Sequence, residues 1–391
     1  MRLGGPLRRL AFALRFNSTP ILLSNAIGPD SRIIFHRSIY DRVRTLAPIL
    51  WYDADPYPVI ADGRIVWLYD AFTWSNRFPY SQPTRRLNYI RNSVKVAIDA
   101  YSGETTFYVV DPSDPIIQVY QAIFPGLFTP GDEMPQVLRD HWRYPDQLFT
   151  IQSDIYAAYH MQDPRVFYNR EDLWQTPRED KAEMPPYYVV MRLPGQETIE
   201  FISIRPYVPA GKDNMIAWLY ADSDGPDYGQ LGVYKFSKDV LVYGPQQIVG
   251  RINQDPYISQ QLSLWDQRGS SVILGNLLVI PIDGTLLYVQ PLYLQAEATR
   301  LPELKRVLVA YGHRVAMAET LDAALAQALS GATATAPETP TAPLAGDVAG
   351  LARSAQAHYQ AAQECLQRGD WACYGAELAA LEADLEALVA A

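Results

Sequence analysis

Apolar and polar residues alternate along much of the chain in short runs that end at turn-forming pairs. Two such runs flank Asp62-Gly63, and an Asp-Gly pair readily adopts the positive φ angles that a tight hairpin turn requires. The pattern predicts a β-hairpin over residues 59–73. Its second arm carries apolar side chains on both faces, Trp67 on one and Leu68 on the other, so we expect this arm to lie inside a sheet.

Four further stretches repeat this plan of apolar arm, turn and apolar arm. They cover residues 93–110, 187–206, 272–291 and 307–317. In the first of them the alternation is regular, which predicts one face open to water. Helices are predicted between the hairpins, because an aspartate cap followed by proline marks a helix start at Asp114-Pro115 and again at Asp255-Pro256.

This succession predicts an α+β protein: an antiparallel, hairpin-rich β-sheet with inserted helices, followed by a C-terminal α-helical hairpin. We divide the chain into an N-terminal helical segment (1–50), an α+β main domain (51–329), a flexible linker (330–346) and the helical hairpin (347–391). The second helix of the N-terminal segment is expected to start near Asp30 or Ser31. The linker is rich in Ala, Thr and Pro, a composition that cannot bury a face.

Composition and charge narrow the range of functions. With 391 residues, 48% of them hydrophobic, the chain can bury a sizeable core. Its net charge of −10 and pI near 5.1 argue against nucleic acid as a partner, because binding to phosphates needs a surplus of Lys and Arg. No run of eighteen apolar residues predicts a membrane-spanning helix. The first 44 residues run against the acidic trend with eight arginines, so an amphipathic helix there could lie against lipid head groups or face solvent.

One polar cluster, at residues 159–172, is dense enough to suggest chemistry. Its members are candidates for acid–base catalysis (His160, Asp163, Glu171) and for binding a sugar or a peptide (Tyr159, Asn169, Arg170). The competing interpretation is that these side chains cap a helix end and tie the loop to the sheet. No zinc-hydrolase, serine-hydrolase or phosphate-loop motif occurs in the chain, and we favour a role without catalysis.

A second candidate site is a run of alternating carboxylates at residues 222–227. Asp222, Asp224 and Asp227 resemble part of a calcium-binding loop, although the distal glutamate of an EF-hand is absent. The same residue types are equally typical of a hairpin turn. Calcium is the one cofactor that the sequence suggests.

The two cysteines, Cys365 and Cys373, lie on either side of Gly369-Asp370, the predicted turn of the helical hairpin. Two thiols placed in this way could meet across the turn and form a disulfide in an oxidising compartment. They could equally be small buried side chains at a helix–helix contact.

Seven separated runs of sequence carry a family resemblance. They read D-P-Y-P-V-I-A-D-G-R-I-V-W (55–67), N-Y-I-R-N-S-V-K-V (88–96), I-F-P-G-L-F (123–128), Y-H-M-Q-D-P-R-V-F-Y-N-R-E-D-L-W (159–174), D-N-M-I-A-W-L (213–219), Q-D-P-Y-I-S-Q-Q-L-S-L-W-D-Q-R-G-S (254–270) and G-N-L-L-V-I-P-I (275–282). In this order they resemble the large bacterial membrane proteins of uncharacterised protein family 0182. The resemblance extends from about residue 3 to residue 391.

The resemblance implies an envelope location. Such proteins carry several transmembrane helices in an N-terminal half, followed by a large domain outside the cytoplasmic membrane, and this chain resembles only the second part. We therefore expect an extracytoplasmic protein at the cell membrane, associated with it through a partner or through an N-terminal membrane half that this chain lacks. An oxidising location favours the Cys365–Cys373 disulfide. The resemblance supplies no catalytic residues.

Two functions follow as expectations. The first is a non-catalytic domain that assembles with envelope or membrane protein subunits, or with other copies of itself. The alternative is an envelope hydrolase or a glycan- or peptide-binding module that uses the 159–172 cluster.

Overall fold

The structure is a computed structural model of the chain. It describes residues 2–330 except positions 4, 29, 85, 180, 181, 238, 240, 267, 268, 283, 284 and 297–300, and then 348–367 and positions 373, 377, 378, 380, 381, 384 and 385, with backbone alone at 179, 348–353 and 364–367. Met1–Gly331 is one compact unit and Ala332–Ala391 is a second one. The predicted linker, from residue 331 onward, lies outside the described residues.

Three helices precede the first sheet: α1 (Pro6–Arg15), α2 (Thr19–Leu23) and α3 (Ile39–Leu46). The prediction that the last of these starts near Asp30 or Ser31 was wrong. Arg32 instead forms a β-bridge with Arg2, and His36 has a left-handed φ of 52°, a conformation that a continuing α-helix excludes. The helix therefore begins only at Ile39.

The first sheet has six strands: β1 (Trp51–Tyr52), β2 (Tyr57–Ala61), β3 (Arg64–Ser75), β4 (Tyr89–Asp99), β5 (Thr105–Val109) and β6 (Phe128–Pro130). Its order is β1-β3-β4-β5-β6, with β2 also on β3. The hairpin predicted at Asp62-Gly63 is confirmed, and both turn residues have positive φ, 49° and 72°. The sheet is antiparallel except for β5 and β6, which run parallel to each other. Helix α4 (Pro115–Ile123) connects these two strands along the chain.

The prediction that the hairpin of β4 and β5 has one wet face was wrong. Val94, Val96 and Phe107 pack on one side under α3 and α4, while Ala97 packs on the other side with β2 and the helix that follows β6. Both faces of this sheet are therefore covered. Lys95 is buried between these apolar neighbours.

Three helices lead from the first sheet to the second: α5 (Gln136–Arg139), α6 (Asp146–Tyr159) and α7 (Pro164–Asn169). The second sheet contains β7 (Trp174–Gln175), β10 (Tyr187–Arg192), β11 (Ile199–Pro209), β12 (Ala217–Asp222) and β13 (Leu231–Lys235), and β8 (Arg178–Glu179) pairs with β9 (Ala182–Glu183) apart from it. Two helices follow, α8 (Pro245–Gln254) and α9 (Pro256–Trp265). Asp255 caps α9 through the backbone N–H of Ile258, as predicted.

The third sheet contains β14 (Ser270–Leu274), β15 (Leu278–Ile282), β16 (Thr285–Ala296), β17 (Pro302–Tyr311) and β18 (Arg314–Ala318), and α10 (Leu321–Ser330) covers it. The largest apolar core joins this sheet to the second one, with Trp218 and Tyr288 among its buried members and α8 and α9 packed into it. The second unit contains α11 (Val348–Gln367). The predicted α+β class is confirmed.

The three sheets follow the same chain path. Each is built on its longest strand, which is β3 or β16 with 12 residues or β11 with 11, and we call it the long strand. The strand just before the long strand (β2, β10 or β15) pairs with the first half of the long strand. An earlier strand (β1, β7 or β14) pairs with its second half on the same edge. Two more antiparallel strands follow on the opposite edge, and then a helix. In the first and third sheets a register shift also falls in the second half of the long strand.

Candidate functional site

The polar cluster predicted at residues 159–172 lies where α6 ends and α7 begins. His160 follows the last residue of α6, and its ring stacks on the indole of Trp174 with centroids 3.6 Å apart. Its Nδ1 lies 3.3 Å from the carbonyl oxygen of Tyr156, and its Nε2 lies 3.8 Å from the carboxylate of Asp172. Burial lowers the pKa of His160 below its ordinary value, so the ring is neutral at neutral pH. A neutral, stacked imidazole serves as packing here.

The other members of the cluster shape the backbone. Asp163 caps α7 by accepting hydrogen bonds from the N–H groups of Arg165 and Val166, the first at 2.7 Å. Arg170 ends α7 in the left-handed conformation, with φ 58°, and Asn169 donates to Glu171 over 2.8 Å. Tyr159 packs its ring edge against Phe167, outside the core. These contacts match the capping interpretation of the cluster.

A groove of about 520 Å³ opens beside this loop. Arg170, Glu171 and Asp172 line one part of it, and Lys212 and Asp239 line another. His160 is not among the described residues that line this groove. The groove therefore presents charged side chains of both signs, while the predicted acid–base histidine stays outside it.

The structure does not bring Asp222, Asp224 and Asp227 together as metal ligands. Within the described part of the chain, no three His, Cys, Asp or Glu side chains are placed to hold a metal ion. Asp224 accepts a hydrogen bond from the backbone N–H of Phe201 at 3.3 Å, and Asp227 accepts one from Gln230. Burial, followed by the charge of nearby Glu200, raises the pKa of Asp222 to about 7. Turn formation is the role that the hydrogen bonds of Asp224 and Asp227 support.

The second unit contains the predicted cysteine site. Cys373 is disulfide-bonded, and the side chain of Cys365, its predicted partner, lies outside the described residues. His358 of α11 is 2.7 Å from the carboxylate of Glu377, so the chain folds back on α11 as a helical hairpin requires.

Sequence reasoning missed a buried ion pair in the first sheet. Lys95 of β4 donates to Asp70 of β3 over 2.6 Å, with side-chain exposures of 2% and 7%, and to the carbonyl oxygen of Arg143 over 3.2 Å. The ammonium lies 5.3 Å from the ring of Trp142 and 5.2 Å from that of Tyr228. The signal was a lysine in the apolar run V-K-V-A-I, which regular alternation assigned to an open face, and an aspartate in the buried run L-Y-D-A-F.

Two further carboxyl groups lie near this pair. Burial, with smaller contributions from Asp53 and Asp55, raises the pKa of Asp146 to about 6. Burial and then the charge of Asp70 also raise the pKa of Asp53. A buried ion pair of the first sheet therefore lies close to two carboxyl groups, on α6 and just after β1, that tend to hold their protons.

Helix α1 carries apolar side chains on two sides, and one of these sides is exposed. Phe12 and Ala13 point inward, and Phe12 contacts Phe35 with ring centroids 5.9 Å apart. The opposite side carries Leu7, Leu10 and Leu14, which are 80%, 42% and 74% exposed and are spaced i, i+3, i+7 on one side of the helix. We call these three leucines the N-terminal apolar face.

Comparison with known proteins places this chain in a family. The model of the Uncharacterised protein family (UPF0182) matches residues 1–265. The chain belongs to this family. UPF0182 proteins of Cupriavidus necator, Geobacter sp. strain M21 and Moorella thermoacetica are 53%, 51% and 50% identical to it, over 99%, 96% and 97% of the chain. The aligned region is 43% of each of these UPF0182 relatives, so the chain spans less than half of their length.

No solved structure matches the chain. Of the helices in the described residues, none has the length and apolar character needed to cross a bilayer.

Proposed function

We propose that the protein is a non-catalytic, extracytoplasmic domain of a bacterial envelope protein, and that it assembles with membrane-protein subunits through the N-terminal apolar face. One observation carries the proposal: three leucines stand exposed on one side of a helix whose other side is fixed to the domain. Large apolar patches on a soluble surface commonly mark sites of protein or membrane interaction.

The helix that carries this face is held firmly in place. Leu3, just before it, is buried and donates its N–H to the carbonyl oxygen of Ser31 over 2.8 Å. Arg9 donates to the carbonyl oxygen of Ile27, and the ring of Phe16 lies 5.7 Å from that of Phe35. A helix fixed on one side presents its leucines in a defined geometry, which lowers the entropic cost of docking.

The charge around the face suits a partner close to a membrane. Arg8 and Arg15 are exposed on the same helix, whereas the whole chain carries a net charge of −10. Basic side chains beside an apolar face are typical of surfaces that approach anionic lipid head groups. In the relatives, more than half of the protein lies outside the aligned region, and that part could supply such a partner surface.

The test is site-specific photo-crosslinking in the bacterial envelope. A photoreactive amino acid at position 10 should give crosslinks to a membrane-protein subunit, and the double change Leu7→Ser and Leu14→Ser should abolish them without unfolding the domain, since both side chains are exposed. The same probe at position 301, which is 68% exposed, is the matched control. The proposal is overturned if position 10 gives crosslinks no stronger than position 301. If the crosslinks join only two copies of this chain, the face serves self-association and not binding to a membrane-protein subunit.

A second candidate function is glycan or peptide binding in the groove beside residues 170–172. The paired charges of its wall, Asp172 and Lys212 among them, are suited to polar ligands. Calorimetry with peptidoglycan fragments tests this function. Asp172→Asn should lower the affinity, and the absence of binding to the unaltered protein would contradict it.

A further inference from the structure

A separate cleft of about 540 Å³ lies beside the edge of the first sheet. Four parts of the chain meet there: the segment that enters β1, the C-terminal end of β3, the loop between β3 and β4, and α6. Its lining is mainly apolar and includes Leu50, Trp51, Trp74, Leu87, Ile151 and Arg86. The volume falls within the range of ligand pockets in proteins, which is about 300–1,000 Å³.

The walls are fixed while the mouth is open. Leu50, Leu87 and Ile151 are 5%, 7% and 9% exposed, so the main unit holds them in place. Trp74 remains 43% exposed although its ring borders a concave apolar surface. An indole in this position offers a large apolar area at little conformational cost.

One charged side chain borders the cleft. Arg86 is in a tight turn closed by two backbone hydrogen bonds between Thr84 and Leu87, of 2.8 and 3.1 Å. None of the described residues forms a hydrogen bond or an ion pair with Arg86. A guanidinium beside an apolar cleft, in a chain of net charge −10, provides charge complementarity for an anionic group.

The loop that presents Arg86 is braced from inside. The side chain of Asn88 accepts a hydrogen bond from the N–H of Phe78 at 2.9 Å and donates to the carbonyl oxygen of the same residue at 2.7 Å. The ring of Phe78 also stacks on Tyr89, with centroids 4.2 Å apart. The turn at Arg86 is therefore part of a preformed wall of the cleft.

We propose that this cleft binds a single-chain amphiphile with a carboxylate head group, such as a long-chain fatty acid. The apolar walls take the hydrocarbon chain, and Arg86 takes the carboxylate in a bidentate pair. One guanidinium matches one negative charge, which favours a carboxylate over a head group of higher charge. This site is distinct from the N-terminal apolar face and does not depend on the function proposed for it.

The experiment measures binding of monomeric fatty acids to the full chain through tryptophan fluorescence and calorimetry. Affinity should rise by about fifteenfold for every two methylene groups added between octanoate and laurate, as expected for burial of the chain. Arg86→Gln should weaken laurate binding by about tenfold or more and leave dodecanol binding unchanged. Trp74→Ala should weaken both ligands.

Two matched variants in the same loop serve as controls. Arg77→Gln and Tyr80→Ala change exposed side chains outside the cleft and should leave both affinities unchanged. The proposal is overturned if no fatty acid binds, if Arg77→Gln has the same effect as Arg86→Gln, or if the protein binds only vesicles of anionic phospholipid and no monomeric amphiphile. Crosslinking from position 10 reports on the other surface, so failure of one proposal leaves the other standing.

Discussion

At the scale of single residues, Lys95 and Asp70 stand out because they bury opposite charges inside a sheet. Removing two charges from water is costly, and their attraction offsets that cost only while both are present. The carbonyl oxygen of Arg143 and the rings of Trp142 and Tyr228 also surround the ammonium. Asp70 and Lys95 lie opposite each other in the register of β3 and β4, and we infer that the pair favours this register more than it adds net stability.

Breaking this pair should cost far more than breaking an exposed pair of the same length. We expect Lys95→Met to lower the free energy of unfolding by about 3–5 kcal/mol, because it leaves Asp70 charged and buried. Adding Asp70→Asn should restore part of the loss. The control is Arg64→Met: Arg64 and Asp99 are also 2.6 Å apart, but Arg64 is 56% exposed, so the cost should be at most about 1 kcal/mol. Urea unfolding at pH 7 measures all four proteins, and equal losses for the two single variants would contradict this account.

Asp146 should make stability depend on pH. Its pKa is about 6 in the folded protein against an ordinary value of 3.8, so the folded state keeps the proton to higher pH than the unfolded chain. Stability is then lost as pH rises from about 4 to about 6, by at most about 3 kcal/mol and less where water screens the charge. Asp146→Asn lacks this loss, so its stability relative to the unaltered protein should rise across that window. Urea unfolding from pH 4 to pH 8 measures the difference in free energy of unfolding between the two proteins. A difference that stays constant over this range would contradict the raised pKa of Asp146.

At the scale of elements, local signals in the sequence were reliable where one or two residues decide the backbone. The Asp-Gly turn at 62–63 and the Asp-Pro helix starts at 114–115 and 255–256 are present as predicted. The orientation of α1 was not predictable, because Phe12 on one side and the leucines on the other are both apolar. The role of the 159–172 cluster needed the structure, since Trp174, which covers His160, belongs to the next strand. Helix α8 was missed because it starts from Gly244 without a side-chain cap.

Two glycines of this helix region should respond to alanine in opposite ways. A Cβ at Gly244 would lie 1.7 Å from the carbonyl oxygen of Asp213, whereas a Cβ at Gly250 would meet nothing within 4 Å. Gly244→Ala should therefore destabilise the protein by about 1–3 kcal/mol through overpacking. Gly250→Ala should stabilise it by about 0.5–1 kcal/mol, because alanine loses less backbone entropy in a helix. Thermal and urea unfolding measure both, and a loss at position 250 would contradict the helix geometry.

At the scale of the whole molecule, the sequence predicted most hairpins but not their grouping into three sheets of one design. Two of the three strands that pair with the second half of a long strand, β1 and β7, are only two residues long and have no periodicity to detect. β1 and β7 each pair with a long strand that follows them only after another strand, so no local turn signal indicates the pairing. Hairpin signals are local, while the sharing of one apolar core by the second and third sheets, through residues such as Trp218 and Tyr288, is a tertiary property.

The shared path of the three sheets has a consequence for how the protein is made. Each sheet is closed within its own stretch of chain, 51–130, 174–235 and 270–318, and short loops cost little entropy to close. The first sheet can thus form on the ribosome before the others exist. The side of the second sheet that carries Trp218 cannot be covered until the third sheet has been synthesised. During refolding, pulse-labelling hydrogen exchange should find amides of β3 and β4 protected first, and those of β11 and β12 only together with β16.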